Sequence, residues 1–123
     1  MTDKFQFNRR NQFDPVAMIN ETVALGEEWA ENKTAFELLK DYESTLKSQI
    51  FESLRNDGHN TTSAEKLIAK DKKYLEHLSA KNLALKKFLT SQVRYESKKK
   101  LDDLLQTDEV NKRHEMKMSG YQT

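Results

Sequence analysis

Apolar residues recur over most of this sequence at steps of three, four or seven, and this spacing limits the possible folds more than any other feature. Between Asp14 and Asp57 the apolar series is Met18, Leu25, Trp29, Phe36, Leu39, Leu46, Ile50 and Leu54. Such spacing places side chains on one stripe of an α-helix. The 123 residues include only three Gly and one Pro, so little interrupts such helices. We therefore expect an all-α protein.

Helix-ending signals divide this pattern into two long segments. Asp14-Pro15 is typical of a helix start, because the Asp carboxylate can accept a bond from a free backbone N–H and Pro has no donor to lose. The stretch NDGHNTTS, residues 56–63, contains Gly58 and a capping box formed by Thr62 and Glu65. The predicted segments are a flexible arm (1–13), a helix (14–57), a turn (58–62), a second helix (63–118) and a frayed tail (119–123).

A further capping-box pattern lies inside the first predicted helix. TAFE, residues 34–37, is compatible with a break near Asn32-Lys33. A Thr inside a continuous helix that happens to precede a Glu explains the same letters. Both interpretations stay open from the sequence.

The second predicted helix has its own stripe with a period near 3.5. Its members are Leu67, Leu75, Leu78, Leu85, Leu89 and Val93. A helix over 63–118 would be about 80 Å long and cannot bury its own stripe. An antiparallel hairpin of coiled-coil type, with an overhang, is the simplest arrangement. Two helices leave each other half exposed, so we also expect helices from other copies to close the core in a homo-oligomer.

The charges of the two segments favour the same pairing. Residues 14–57 carry four Lys and Arg against ten Asp and Glu, whereas residues 64–118 carry fourteen against nine. Opposite net charges favour the antiparallel pair, although an exposed ion pair contributes only up to about 1 kcal/mol. The apolar stripes must therefore provide most of the stability.

The stretch KKFLTSQVRYESKKK, residues 86–100, has six Lys and Arg and one acidic residue in a chain of net charge +1. On a helical wheel Lys87, Arg94 and Lys98 lie within about 40° of one another, opposite the apolar stripe. Phe88 and Tyr95 lie between the cations and that stripe. We call these cations the basic ridge.

A basic ridge with neighbouring aromatics is suited to single-stranded nucleic acid, because neutralised phosphates release counterions and rings stack on bases. The arm KFQFNRRNQF offers a second cationic and aromatic segment. The predicted nucleic-acid-binding residues are Lys86, Lys87, Arg94, Tyr95, Lys98, Lys99 and Lys100, with Arg9 and Arg10 from the arm. Alternatively, the ridge is a solvated helix face or a surface that docks an acidic protein, and Phe88 and Tyr95 are core residues. The arm would then be an ordinary disordered terminus.

No set of residues in the sequence predicts catalysis or a bound cofactor. The chain has no Cys, so disulfide and thiolate chemistry are excluded, and His59, His77 and His114 are not at metal-ligand spacing. Asp102 and Asp103 point about 100° apart on a helix, so we expect solvated charges rather than a proton-sharing pair. We expect a protein that is not an enzyme and holds no metal or cofactor.

The sequence also predicts the compartment. No run approaches the roughly 18 apolar residues of a membrane span, and the N-terminal MTDKFQFNRRNQF has no apolar signal region. We therefore expect a cytoplasmic protein, in the host cytoplasm if the chain is viral, with no membrane partner.

The order of segments adds a resemblance to this interpretation. An acidic helix is followed by a turn with TTSAE, then by a basic helix with YLEHL, VRYESKKK and KRHEMKM. Over about residues 35–118 this pattern resembles the small all-helical proteins of tailed-bacteriophage recombination and replication cassettes, some of which are recombination mediators. The resemblance implies an oligomeric accessory protein that binds single-stranded DNA and loads or organises a recombination or replication protein. The alternative is a coiled-coil adaptor, chaperone or inhibitor that binds only protein.

Overall fold

Three helices account for nearly all of the part of the chain that the structure describes. The computed structural model describes the backbone of residues 14–122 and the side chains of residues 14–118. Within this range the helices are α1 (Pro15–Asn56), α2 (Thr61–Ile68) and α3 (Lys72–Gln122), and there is no strand. The predicted all-α class is confirmed. The arm over 1–13, with Arg9 and Arg10, lies outside the described residues.

The first helix begins and continues as the sequence pattern indicates. The carboxylate of Asp14 accepts bonds from the backbone N–H groups of Val16 and Ala17 at 3.1 and 3.2 Å. From Pro15 the helix continues to Asn56. The capping box over 34–37 is therefore unused, and of the two interpretations the continuous helix is the one observed.

The second predicted helix is divided by a cap that sequence reasoning missed. Helix α2 starts at Thr61, where the Asn60 side chain accepts a bond from Ser63 N, and ends at Ile68. Three residues later the carboxylate of Asp71 accepts bonds from the backbone N–H groups of Lys73 and Tyr74 at 2.8 and 3.2 Å. The single helix predicted over 63–118 is thus two helices, because Asp71 caps a new N-terminus. Helix α3 also extends to Gln122, into the predicted tail.

The chain divides into two compact units, which we describe separately. The central unit comprises residues 28–91, and the terminal unit contains the described residues 14–27 and 92–122. In the central unit Asn32 contacts Ser91 and Glu43 contacts Lys81; in the terminal unit Thr22 contacts Asp102 and Gly26 lies against Tyr95. In both units, residues later in α1 contact residues earlier in α3. The two helices are therefore antiparallel in each unit.

The inner stripe of α1 follows the predicted apolar series. Its members are Met18, Thr22, Leu25, Trp29, Asn32, Phe36, Leu39, Glu43, Leu46 and Ile50, spaced alternately by four and three residues, and all are at least partly buried. Met18, Leu46 and Ile50 are buried apolar residues, and Ala64 of α2 is fully buried. Every predicted apolar member is at least partly buried, and the polar members were not predicted.

The inner stripe of α3 differs from the predicted one. Leu75, Leu89 and Val93, which the periodicity assigns to the seam, are 49%, 48% and 62% exposed. The partly or fully buried residues instead include Tyr74, His77, Lys81, Ala84, Phe88, Ser91, Tyr95, Lys98, Asp102 and Leu105. The spacing of apolar residues alone predicted the wrong inner face of α3, because the seam contains polar side chains that pair with polar side chains of α1.

None of the helices within residues 14–122 combines the length and the apolar character needed to cross a membrane.

The Asp71 cap gives a first prediction. Replacing Asp71 with Ala removes the acceptor for two N–H groups at the start of α3, so we expect the free energy of unfolding to fall by about 1 kcal/mol. Urea denaturation followed by circular dichroism measures this loss. Asp41→Ala, at an exposed position inside α1, is the matched control, and an equal effect of the two substitutions would contradict the role of the cap.

Candidate functional site

The residues of the predicted basic ridge are not equivalent in the structure. In the central unit Lys86 and Lys87 are exposed. In the terminal unit Arg94, Lys99 and Lys100 are exposed, whereas Lys98 and Tyr95 are partly buried. One member of the basic ridge, Lys98, and the neighbouring Tyr95 therefore belong to the inner side of α3.

Lys98 belongs to a polar cluster of the terminal unit. Its ammonium group is paired with the carboxylate of Asp102, lies 3.8 Å from Glu21 and is 3.5 Å from the Thr22 hydroxyl. Its side chain is only 16% exposed. The charge of Lys98 is thus compensated inside the protein, contrary to the expectation that it points away from the seam.

Asp102 lies at the centre of this cluster. It is 8% exposed, and it accepts hydrogen bonds from the Thr22 hydroxyl and the Lys98 ammonium. The expectation that Asp102 is a solvated charge is therefore wrong, while Asp103 is exposed as expected. Burial acts to raise the pKa of Asp102, but the hydrogen bonds from Lys98 and Thr22 outweigh it, and the pKa lies below its ordinary value.

Tyr95 packs against the one glycine of α1. A Cβ atom placed on Gly26 would lie 3.1 Å from Cε1 of the Tyr95 ring, so the absent side chain makes room for the ring. A base could stack on this ring only where it stays accessible beside α1. Of the two interpretations of Tyr95, its position favours a core residue.

The central unit contains a second set of polar seam contacts. The Asn32 amide donates to Ser91 Oγ at 3.2 Å, and Ser91 is almost fully buried. Lys81 Nζ donates to Glu43 Oε1 at 2.7 Å, with both side chains less than one quarter exposed. The hydrogen bond from Lys81 holds the pKa of Glu43 below its ordinary value, against the opposing effect of burial and with help from the charges of Lys81, Lys47 and His77.

Aromatic residues lie next to these polar contacts. Phe36 and Phe88 are stacked, with ring centroids 6.0 Å apart and an interplanar angle of 22°. His77 is 8% exposed and its ring centroid lies 6.0 Å from that of Tyr42. Its Nε2 atom has no hydrogen-bond partner among the residues that the structure describes. Phe88 is therefore a seam residue rather than a platform for bases.

The lysines that remain for an external partner are defined by their lack of internal ones. On α3 Lys81, Lys98 and Lys112 form ion pairs with carboxylates. No carboxylate among the residues with described side chains forms such a pair with Lys86, Lys87, Lys99 or Lys100. Lys72, Lys73 and Lys117 of α3 are also exposed, but they lie outside the basic ridge, so these four are the lysines of the ridge on which a functional hypothesis can be built.

The described residues form no recognisable metal centre. No group of three or more His, Asp or Glu side chains among them could hold a metal ion.

Comparison with known proteins assigns no relative. No protein-family model matches this chain. Neither a curated protein nor a solved structure matches it significantly.

The polar seam leads to a prediction about pH. Because the folded-state pKa values of Asp102 and Glu43 are lowered, their contribution to stability is present above their unfolded pKa values and is lost as the pH falls through the folded values. We expect the contribution of these two carboxylates to the free energy of unfolding to be constant near neutral pH and to fall below about pH 4. Asp102→Asn should lower stability at pH 7 and weaken this acid dependence. Asp103→Asn is the exposed neighbouring control, and identical pH profiles of the two variants would refute the assignment.

The buried histidine gives a prediction of the opposite sign. His77→Leu removes a buried nitrogen that has no hydrogen-bond partner in the described part of the chain, and it places an apolar side chain at the seam. We expect the free energy of unfolding to rise by about 1 kcal/mol in urea denaturation at pH 7. His114→Leu, on an exposed part of α3, should change stability little. A loss of stability in His77→Leu would mean that the ring contact with Tyr42 and the electrostatic interaction with Glu43 outweigh the cost of the unpaired nitrogen.

Proposed function

We propose that this protein is a non-enzymatic, oligomeric accessory protein of DNA recombination or replication, of the kind encoded by tailed bacteriophages. It binds single-stranded DNA weakly and loads or organises a partner protein of the same process on the strand. It acts in the cytoplasm, that of the host if the chain is viral. It needs no cofactor.

The observation that carries this proposal is the division of the α3 lysines into paired and unpaired groups. Lys81 and Lys98 are held by carboxylates inside the protein, whereas Lys86, Lys87, Lys99 and Lys100 are exposed and form no ion pair with any carboxylate whose side chain the structure describes. Four exposed ammonium groups are suited to the phosphates of the sugar-phosphate backbone, because binding to this backbone depends on charge rather than on base sequence. The exposed Arg94, and Arg9 and Arg10 of the arm, are further candidates for phosphate contact.

The binding expected from so few cations is weak. The whole chain has a net charge of only +1, whereas isolated DNA-binding domains are usually strongly basic. Repeated copies in an oligomer would convert modest single contacts into tighter binding to one strand. An accessory role beside another DNA-binding protein fits this strength better than an autonomous one.

A second candidate function is supported by a different observation. Large apolar side chains are exposed on both long helices, among them Leu38 on α1 and Leu83 on α3. Such surfaces are common where proteins bind other proteins. A coiled-coil adaptor, chaperone or inhibitor that binds only protein would use them, with the lysines docking an acidic partner.

Titration of a labelled single-stranded oligonucleotide, followed by fluorescence anisotropy at two salt concentrations, tests the proposal. Lys86→Glu/Lys87→Glu and Lys99→Glu/Lys100→Glu should each weaken binding by about tenfold or more, because repulsion replaces phosphate contacts. The control Lys33→Glu/Lys40→Glu introduces the same charge change on α1. Lys98 is left unchanged because its ammonium group belongs to the Asp102 cluster.

Three outcomes of this titration are informative. Salt-sensitive binding that exceeds binding to a duplex of equal length, and that is lost in the α3 variants alone, supports the proposal. An equal loss of DNA binding in the α1 control would mean that binding depends only on the net charge of the protein, and it would contradict a specific role of the α3 lysines. Absence of binding at low salt would exclude DNA contact and favour the protein-only adaptor.

A further inference from the structure

In the central unit α3 carries two heptad series, and the more apolar one faces outward. The inner series is Tyr74, His77, Lys81, Ala84 and Phe88, and the outer series, one residue later at each step, is Leu75, Leu78, Asn82, Leu85 and Leu89. In the outer series Leu75 and Leu89 are about half exposed, Asn82 is exposed, and Leu78 and Leu85 are partly buried. We call it the leucine stripe. Leucines at heptad spacing with one polar Asn are typical of a helix that packs on another helix.

In the terminal unit α1 also has an outer apolar series. Ile19 and Val23 each follow an inner residue, Met18 and Thr22, by one position, and Val16 lies one turn earlier. Val16, Ile19 and Val23 are 68%, 56% and 52% exposed. On a helical wheel they lie within about 60° of one another. We call them the valine stripe.

The helical segments that carry the two stripes have opposite net charges. Residues 72–91, which carry the leucine stripe, include five lysines and one glutamate. Residues 14–27, which carry the valine stripe, include three carboxylates and no lysine or arginine. Two leucine stripes packed together would bring lysines against lysines, and two valine stripes would bring carboxylates against carboxylates. The charges therefore favour packing of a leucine stripe against a valine stripe.

We propose that the leucine stripe of one copy packs against the valine stripe of a second copy, and that the second copy returns the same contact. The exchange is a two-fold symmetric interface in which each chain supplies both surfaces. A second copy is the occupant because one chain carries both exposed apolar stripes and the opposite charges of the segments around them. The inference rests on the oligomer included in the proposed function and is independent of DNA binding.

Light scattering of the full chain, coupled to size exclusion over a range of concentrations, tests the interface without DNA. The natural chain should form a dimer or a multiple of it. Leu75→Gln/Leu89→Gln and Ile19→Gln/Val23→Gln should each raise the dissociation constant at least about tenfold. The matched control Leu83→Gln/Leu101→Gln, at exposed α3 positions outside the stripe, should leave it unchanged.

Mixing the two stripe variants distinguishes this pairing from its alternatives. A mixed dimer keeps one intact contact, between the leucine stripe of one variant and the valine stripe of the other. Association should therefore be partly restored in the mixture, beyond that of either variant alone. Leucine-on-leucine packing, or a different interface, predicts no restoration and would overturn the proposal, as would a natural chain that stays monomeric at its highest soluble concentration.

Crosslinking gives a readout that does not depend on variants that weaken association. Because the chain has no Cys, Val23→Cys and Leu85→Cys each introduce a unique thiol. A short bismaleimide should link the two variants to each other in a mixture far more than it links either to itself. Preferential linking of like variants would place like stripes together and contradict the exchange. A negative crosslinking result would contradict this interface but not the proposed DNA binding. Absence of DNA binding in the titration would contradict that proposal but not this interface.

Discussion

Polar side chains at heptad positions of the α1–α3 contact determine how these two helices can pair. Thr22, Lys98 and Asp102 satisfy one another in the terminal unit, and Glu43 with Lys81 does so in the central unit. A shift of one helix by a single turn would separate Glu43 from Lys81 and leave these two partly buried charges unpaired, and it would separate Thr22 from the Lys98–Asp102 pair. Such a loss is worth several kcal/mol, so these contacts specify register even where their net contribution to stability is small.

This dependence on polar pairs explains which features could be predicted from the sequence. The stripe of α1 was correctly predicted because Met18, Leu46 and Ile50 dominate it and Asp14 marks its start. The α3 stripe was not, because its inner positions include Lys98 and Asp102, which look like surface residues until their partners are known. The break before α3 depends on one Asp among lysines, a weaker signal than a Gly or Pro.

The candidate site could also be predicted only in part from the sequence. Residue type and spacing suffice to find the basic segment, and Lys86, Lys87, Lys99 and Lys100 are exposed as the helical wheel requires. The partner of Lys98 is Asp102, one turn later on the same helix, and that pair alone would predict an exposed surface ion pair. In the folded chain the pair is largely buried and Asp102 accepts a bond from Thr22, which is distant in sequence, so only the tertiary structure removes Lys98 from the group of available cations.

The sequence separation of these pairs has a consequence for folding. Glu43 and Lys81 are 38 residues apart, whereas Thr22 and Asp102 are 80 residues apart. Each doubling of a closed loop costs about 0.6 kcal/mol of additional chain entropy, and that cost falls once the intervening chain is already ordered. We therefore expect the Glu43–Lys81 contact to form early and the Thr22–Asp102 contact late, so that the polar pair nearest the chain ends reports on the last step of folding.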